Sequence, residues 1–173
     1  FLVQVYRSIG IPARSVYVPM WTHIDDNHAW VEVYIDGAWK YIGAGEGEEM
    51  LEKAWFSLAT TRASYLLSNS ITWIKNDEKY LEDKNLWKTV DHTHHYTDTK
   101  LVSIKSEVNG LNKLFLSIVN YGSFRNLTQL DIEVNKVCNV SFGRGDFVLR
   151  GWVNGKPLLR LVKEEETEII LTE

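Results

Sequence analysis

The run His28–Ile35, the pair Asp36-Gly37 and the run Ala38–Ala44 constrain the fold more than any other stretch of the chain. The first run is rich in Val, Tyr and Trp, which favour a pleated, half-buried surface. Asp-Gly is a preferred pair for a two-residue hairpin turn, because both central positions require positive φ. The two runs are therefore expected to pair as antiparallel strands. With a two-residue turn, Ile35 opposes Ala38, Tyr34 opposes Trp39, Trp30 opposes Gly43 and His28 opposes Gly45. Side chains alternate along a strand. His28, Trp30, Glu32 and Tyr34 then share a polar and aromatic face with Trp39, Tyr41 and Gly43. Ala29, Val31, Val33, Ile35, Ala38, Ile42 and Ala44 form the opposite face, which is expected to be the core.

Around this hairpin the patterning is mixed. Phe1, Leu2, Val5, Tyr6 and Ile9 recur at helical spacing, and Gly10 with Pro12 ends that helix. Ser15–Pro19 is expected to be extended and Thr22–Asn27 a polar loop. From Glu48 to about Leu58 the spacing predicts a second helix, with Met50, Leu51, Ala54 and Leu58 inward. Lys75–Asp91 is heavily charged and precedes the His-rich stretch His92–His95, so a domain boundary is placed near Tyr96–Thr99. Beyond it, short β-like runs alternate with Asn and Gly turns: Leu101–Lys105, Leu114–Val119, Leu127–Val134, Asn139–Phe142, Phe147–Val153 and Thr167–Leu171. That rhythm predicts a small antiparallel sandwich.

Composition removes several classes of function. With 19 Lys and Arg against 23 Asp and Glu, the net charge is −4, and no dense basic cluster is present to bind nucleic acid. No apolar run approaches the ~18 residues of a membrane span. Cys138 is the single cysteine, so neither an internal disulfide framework nor a multi-thiolate metal site is expected. His92, His94 and His95 have no further ligand at a fixed spacing and are expected to be a solvated loop rather than a Zn site. No metal and no cofactor are expected.

His28 opens a strand, beside an exposed loop, which suits a general base. The plainer reading is a half-buried strand-end histidine. The surrounding motifs carry more information. Gly10-Ile11-Pro12-Ala13-Arg14, Asn27-His28-Ala29-Trp30-Val31-Glu32-Val33 and Asp36-Gly37-Ala38-Trp39, in that order over roughly residues 1–56, closely resemble the transglutaminase-like superfamily, whose members have a papain-like thiol-protease core. Gly143-Arg144-Gly145-Asp146-Phe147 and Gly155-Lys156-Pro157 are similar to the carboxypeptidase-regulatory-like β-sandwich found after such cores in large bacterial surface proteins. The resemblance implies an α+β fold class, the C-terminal part of a papain-like transglutaminase core over residues 1–96, followed by an all-β sandwich module over 97–173. It also implies a location outside the cell or at its surface. The implied chemistry is acyl transfer from a protein or peptide amide to an amine or to water. A thiolate at a helix N-terminus attacks, an imidazole moves the proton, and a carboxylate holds the ring in the useful tautomer.

The sequence departs from this pattern twice. The family nucleophile is expected just upstream of Phe1, and Cys138 is expected to be a small apolar filler in the sandwich. The family acid, counted from Trp39, falls at Gly43, which is diagonal to His28 and within ~7–8 Å of it. Glu46 is ranked first as its replacement, with Asp25 and Asp26 as alternatives. Glu32 shares the face but lies ~13 Å along the strand. His28 and Glu46 are thus the candidate catalytic residues. Trp21 and Trp30 are candidate substrate-binding residues lining an acyl groove, or else plain aromatics of the core or surface. Arg144-Gly145-Asp146 is expected to be a turn between strands. Asn126-Leu127-Thr128 and Asn139-Val140-Ser141 are formal sequons, relevant only in a eukaryotic secreted protein.

Two functions of different class follow. One is a thiol acyl-transferase or peptidase acting on protein or peptide substrates, in which this chain by itself is inactive. The other is a non-catalytic cell-surface binding or scaffold module that retains the fold.

Overall fold

A computed structural model describes residues 1–43, 50–71, 80–84 and 87–172. Three antiparallel or mixed sheets carry the fold, and the described helices are only α1 (Leu2–Ser8), α2 (Ser57–Thr60) and a 3-10 turn at Thr93–His95. The described residues therefore form an all-β fold, which corrects the expected α+β class.

The first sheet has six strands, β1 (Ala13–Val18), β2 (His28–Ile35), β3 (Ala38–Ile42), β4 (Leu67–Ile71), β5 (Tyr80–Lys84) and β6 (Trp87–Asp91), in the order β3-β2-β1-β4-β6-β5. The hairpin forms in the expected register, with Val31 opposite Ile42, Tyr34 opposite Trp39 and Ile35 opposite Ala38. Asp36 and Gly37 take φ of 55° and 79°, the doubly positive pair that this turn requires.

The face assignment holds only in part. Leu2, Val3 and Tyr6 of α1 pack on Ala13, Val31 and Val33, as a core face should. The opposite face is buried as well. Trp30 is 1% exposed, packed in a cluster with Phe56, Ala63 and Tyr96, and Glu32 is 3% exposed, bonded by Tyr96 and Arg14. A strand covered on both sides loses the simple alternation of exposure.

One further expectation is corrected here. The second helix shrinks to the single turn α2, and residues 50–56 are turns and irregular chain. Glu52 sits at φ 60°, its amide donates to the Tyr41 carbonyl (2.9 Å), and its own carbonyl accepts from the Tyr41 hydroxyl (2.7 Å). Glu48 and Glu49 lie outside the described residues. The charged stretch supplies β5 and β6 to the sheet, with β5 at its edge.

The remaining strands are β7 (Lys100–Ser106), β8 (Lys113–Asn120), β9 (Ser123–Asp131), β10 (Val137–Phe142), β11 (Phe147–Val153), β12 (Lys156–Val162) and β13 (Glu168–Leu171). They form a three-stranded sheet β10-β7-β13 and a four-stranded sheet β12-β11-β8-β9. Val102, Ile104, Leu114, Leu116, Phe142 and Leu149, from both sheets, meet in one core. Tyr65 and Leu67 belong to that core too, and the Tyr65 hydroxyl donates to the Ser141 carbonyl (2.6 Å). Cys138 is half-buried and packs against this core. Among the described residues, no helix is long and apolar enough to cross a membrane.

Candidate functional site

His28 begins β2 opposite Val18 and is half-buried. Its ring lies 4.7 Å from that of Trp55 and 5.0 Å from that of Phe56, and stacks at 6.0 Å on Trp30. Phe56 is fully buried, whereas Trp55 is 55% exposed. The imidazole thus sits on an aromatic bed whose outer member faces solvent. The sequence reading assigned no role to Trp55 or Phe56, because neither lies near His28 along the chain.

The two tryptophans proposed to line a groove do not present their rings. Trp21 and Trp30 are each 1% exposed and belong to the core cluster that includes Val16, Phe56 and Leu66. Trp30 stacks on Phe56 at 4.6 Å, and its indole Nε1 donates to the Tyr96 hydroxyl (2.9 Å). Trp21 is held by its loop, where its carbonyl and that of Ile24 accept from Asn120 Nδ2, each at 2.9 Å. Among the described residues, the rings beside His28 are those of Trp30, Trp55 and Phe56, of which only Trp55 is exposed.

Gly43 is described and buried, while Glu46 lies outside the described residues. Asp25 and Asp26 are exposed and engage backbone amides elsewhere. Asp25 accepts from Tyr121 N and Asp26 from Asn27 N, each at 2.8 Å.

Farther along the His28 face is a buried ionic group. Arg14 Nε donates to Glu32 Oε2 (2.5 Å), the Tyr96 hydroxyl donates to Glu32 Oε1, and the Arg14 guanidinium stacks 4.1 Å over the Trp39 ring. Burial first, and then the Glu32 carboxylate, push the Tyr96 phenol far above its usual range, so it remains a donor. This arrangement fixes the sheet beneath the aromatic bed. Its parts were visible in the sequence as the Arg of the Gly10–Arg14 motif and the Glu of the hairpin, but their pairing was not assigned.

The His-rich stretch is not a solvated loop throughout. His92 is 3% exposed, and its Nε2 lies 2.7 Å from Ser68 Oγ. Burial, followed by the nearby Arg14, His95 and His94, lowers its pKa to about 3. Asp91 Oδ1 accepts from the amide and the hydroxyl of Thr93, which fixes the turn. Among the described residues, no three His, Cys, Asp or Glu side chains are grouped to hold a metal ion.

With the hairpin, its register and the His28 environment defined, comparison with known families is informative. Residues 1–43 match the transglutaminase-like superfamily. The matched span begins at α1 and ends at Gly43, so it holds His28 and the whole hairpin. Comparison with curated proteins and with solved structures gives no match.

Proposed function

We propose that this chain is part of a thiol-dependent acyl-transferase or amide hydrolase acting on protein or peptide substrates. The observation that carries the reading is the family match over residues 1–43 together with His28, half-buried on the Trp55–Phe56 bed at the first position of β2. In this reading a thiolate carried before Phe1 attacks the amide carbonyl and expels the amine. His28 accepts the thiol proton and returns it to the departing nitrogen, leaving a thioester. An incoming amine or water, deprotonated by the same ring, then releases the acyl group and regenerates the thiol. Glu46 is the proposed replacement for an acid at Gly43, orienting the His28 ring. Residues 97–173 are proposed to be a carboxypeptidase-regulatory-like sandwich on a surface-exposed or secreted protein.

The position of α1 sets a condition on this mechanism. The helix lies on the Val31 and Val33 face, whereas His28 shares its face with Trp30. A thiol preceding α1 must therefore reach the ring around the end of the sheet, and His28 is at that end because it opens β2.

The test compares this chain with the same chain extended by whatever residues its parent gene encodes before Phe1. The 173-residue chain should incorporate no amine into, and release no ammonia from, a glutamine-rich protein. The longer protein should do one or both, with loss on iodoacetamide treatment, abolition by His28→Ala and a drop of roughly 100-fold or more by Glu46→Gln. A longer protein that carries a Cys there and remains inert on a broad peptide panel establishes the scaffold reading instead, which Gly43 in place of the acid favours.

A further inference from the structure

A cavity of about 370 Å3 opens where the loop between β1 and β2 meets the end of α2 and the turn between β10 and β11. Its size is that of a small-ligand site. Thr22 and His23 line it from the first loop, Thr61 and Arg62 from the turn after α2, and Arg144 from the turn between β10 and β11, with Glu164 beyond β12 on another side. Its walls are tied by main-chain bonds. Arg144 N donates to Ala63 O (2.9 Å), Gly143 N to Ser64 O (2.9 Å), and the Thr22 hydroxyl to Arg62 O (3.2 Å).

The charges on the two sides differ in state. Arg144 is matched, with Asp98 Oδ2 at 2.8 Å and Glu164 Oε1 at 3.3 Å. Arg62 has no ion pair or side-chain hydrogen bond among the described residues, so five donors in a planar fork remain available at the wall. Beside it, His23 Nδ1 is buried without a hydrogen-bond partner among the described residues. A buried polar atom with no partner is costly and points to a missing acceptor or donor. Burial and the Arg62 charge lower the His23 pKa, which keeps the ring neutral near pH 7 and able to donate from one nitrogen.

We propose that this cavity binds a carboxylate, held by the Arg62 fork and by His23 Nδ1–H. A carboxylate presents two in-plane oxygens to a guanidinium and matches its geometry. Arg144 is already matched by Asp98 and Glu164, so one negative charge pairs with Arg62, the arginine left without an ion pair among the described residues. A phosphate dianion would overcompensate and face the Glu164 carboxylate across the cavity. The carboxylate has three possible sources: a small free acid, the end of a polypeptide, or an acidic side chain within one.

The experiment follows the His23 and Arg62 side-chain NMR signals of the 173-residue chain at pH 7. Butyrate, N-acetyl-triglycine and N-acetyl-Gly-Glu-Gly-amide are titrated as the three sources, with inorganic phosphate alongside. At least one of the three should give saturable shifts on both residues, and the tightest identifies the source. Arg62→Ala should weaken that binding at least tenfold with an unchanged melting curve, since the side chain is exposed and makes no structural bond. Arg125→Ala, an exposed arginine on β9, should leave it within twofold. Absence of saturation by all three, equal effects of the two alanine variants, or tighter binding of phosphate would each overturn the proposal. None of these readouts depends on amide chemistry, so the outcome is independent of the function proposed above.

Discussion

Glu32 sits between two donors from distant parts of the chain, Arg14 on β1 and Tyr96 after the 3-10 turn, and the two contribute differently. Tyr96→Phe removes a neutral donor from Glu32 and the acceptor of the Trp30 indole, leaving both groups buried. The expected cost is about 1–3 kcal/mol, read as a lowered midpoint in thermal or denaturant unfolding. Glu32→Ala instead strands the Arg14 guanidinium, whose side chain is 14% exposed and whose Nη2 already lacks a partner among the described residues. That loss should be larger, about 3–5 kcal/mol. His92 gives a pH test whose sign is fixed by its lowered pKa of about 3. The folded ring stays neutral while the unfolded one protonates near pH 6.5, so the unfolded state binds the extra proton. Stability from this group is present above pH 6.5 and falls as pH drops toward 3, by up to about 1.4 kcal/mol per unit. Unfolding midpoints measured from pH 7 to 4.5 should decline less steeply in His92→Gln than in the parent; parallel curves would refute the assignment.

At the level of elements, what was legible was what local chemistry decides. Asp36-Gly37 fixed the turn and hence the register of β2 with β3, and Phe147–Val153 was read with its observed bounds. What escaped was decided by partners distant in sequence. The charged stretch Lys75–Asp91 showed no strand pattern, yet within it β6 pairs with β4 through Leu67–Asp91 to Ile71–Trp87. β12 was missed because Lys156 and Pro157 open it, and Pro is tolerated there since β12 is an edge strand. The candidate site shows the same division. His28 was singled out by its motif as a candidate, whereas Trp55 and Phe56 reach it only through tertiary folding. Glycines give an element-scale prediction. A Cβ on Gly143 would lie 2.2 Å from Ala63 O, against backbone that cannot turn aside. Gly143→Ala must therefore disturb the bonds from Gly143 and Arg144 to Ser64 and Ala63, at about 1–3 kcal/mol. Gly155, at φ 76° with nothing within 4 Å of an added Cβ, tolerates Asn with a change below about 1 kcal/mol. Thermal melts of the two variants side by side check the contrast; equal losses would contradict it.

For the whole molecule, the change in patterning near Tyr96 leads us to propose that residues 97–173 form an independent unit. Most of the sandwich core comes from its own seven strands, which favours independence. The same core also includes Tyr65 and Leu67, and Asn120 of β8 donates to the loop that leads to His28. A separated sandwich would expose the surface that these two side chains cover and lose the Tyr65 bond to Ser141. Burying a large side chain contributes about 1.5–3 kcal/mol, so the loss of two such contacts is a substantial part of the usual ~5–15 kcal/mol stability of a domain. Limited proteolysis is expected to cut between about Lys75 and Asp98, at exposed chain such as Asp98 rather than within the paired strand β6 or the buried Asp91–Thr93 turn, and to release a folded C-terminal fragment. That fragment should melt clearly below the intact chain, and Tyr65→Ala in the intact chain should reproduce part of the drop. Cleavage scattered through Leu101–Leu171, or a fragment with no cooperative transition, would show that the first sheet is required for the sandwich to fold. Intact and isolated sandwiches melting together would show instead that Tyr65 and Leu67 contribute nothing to it.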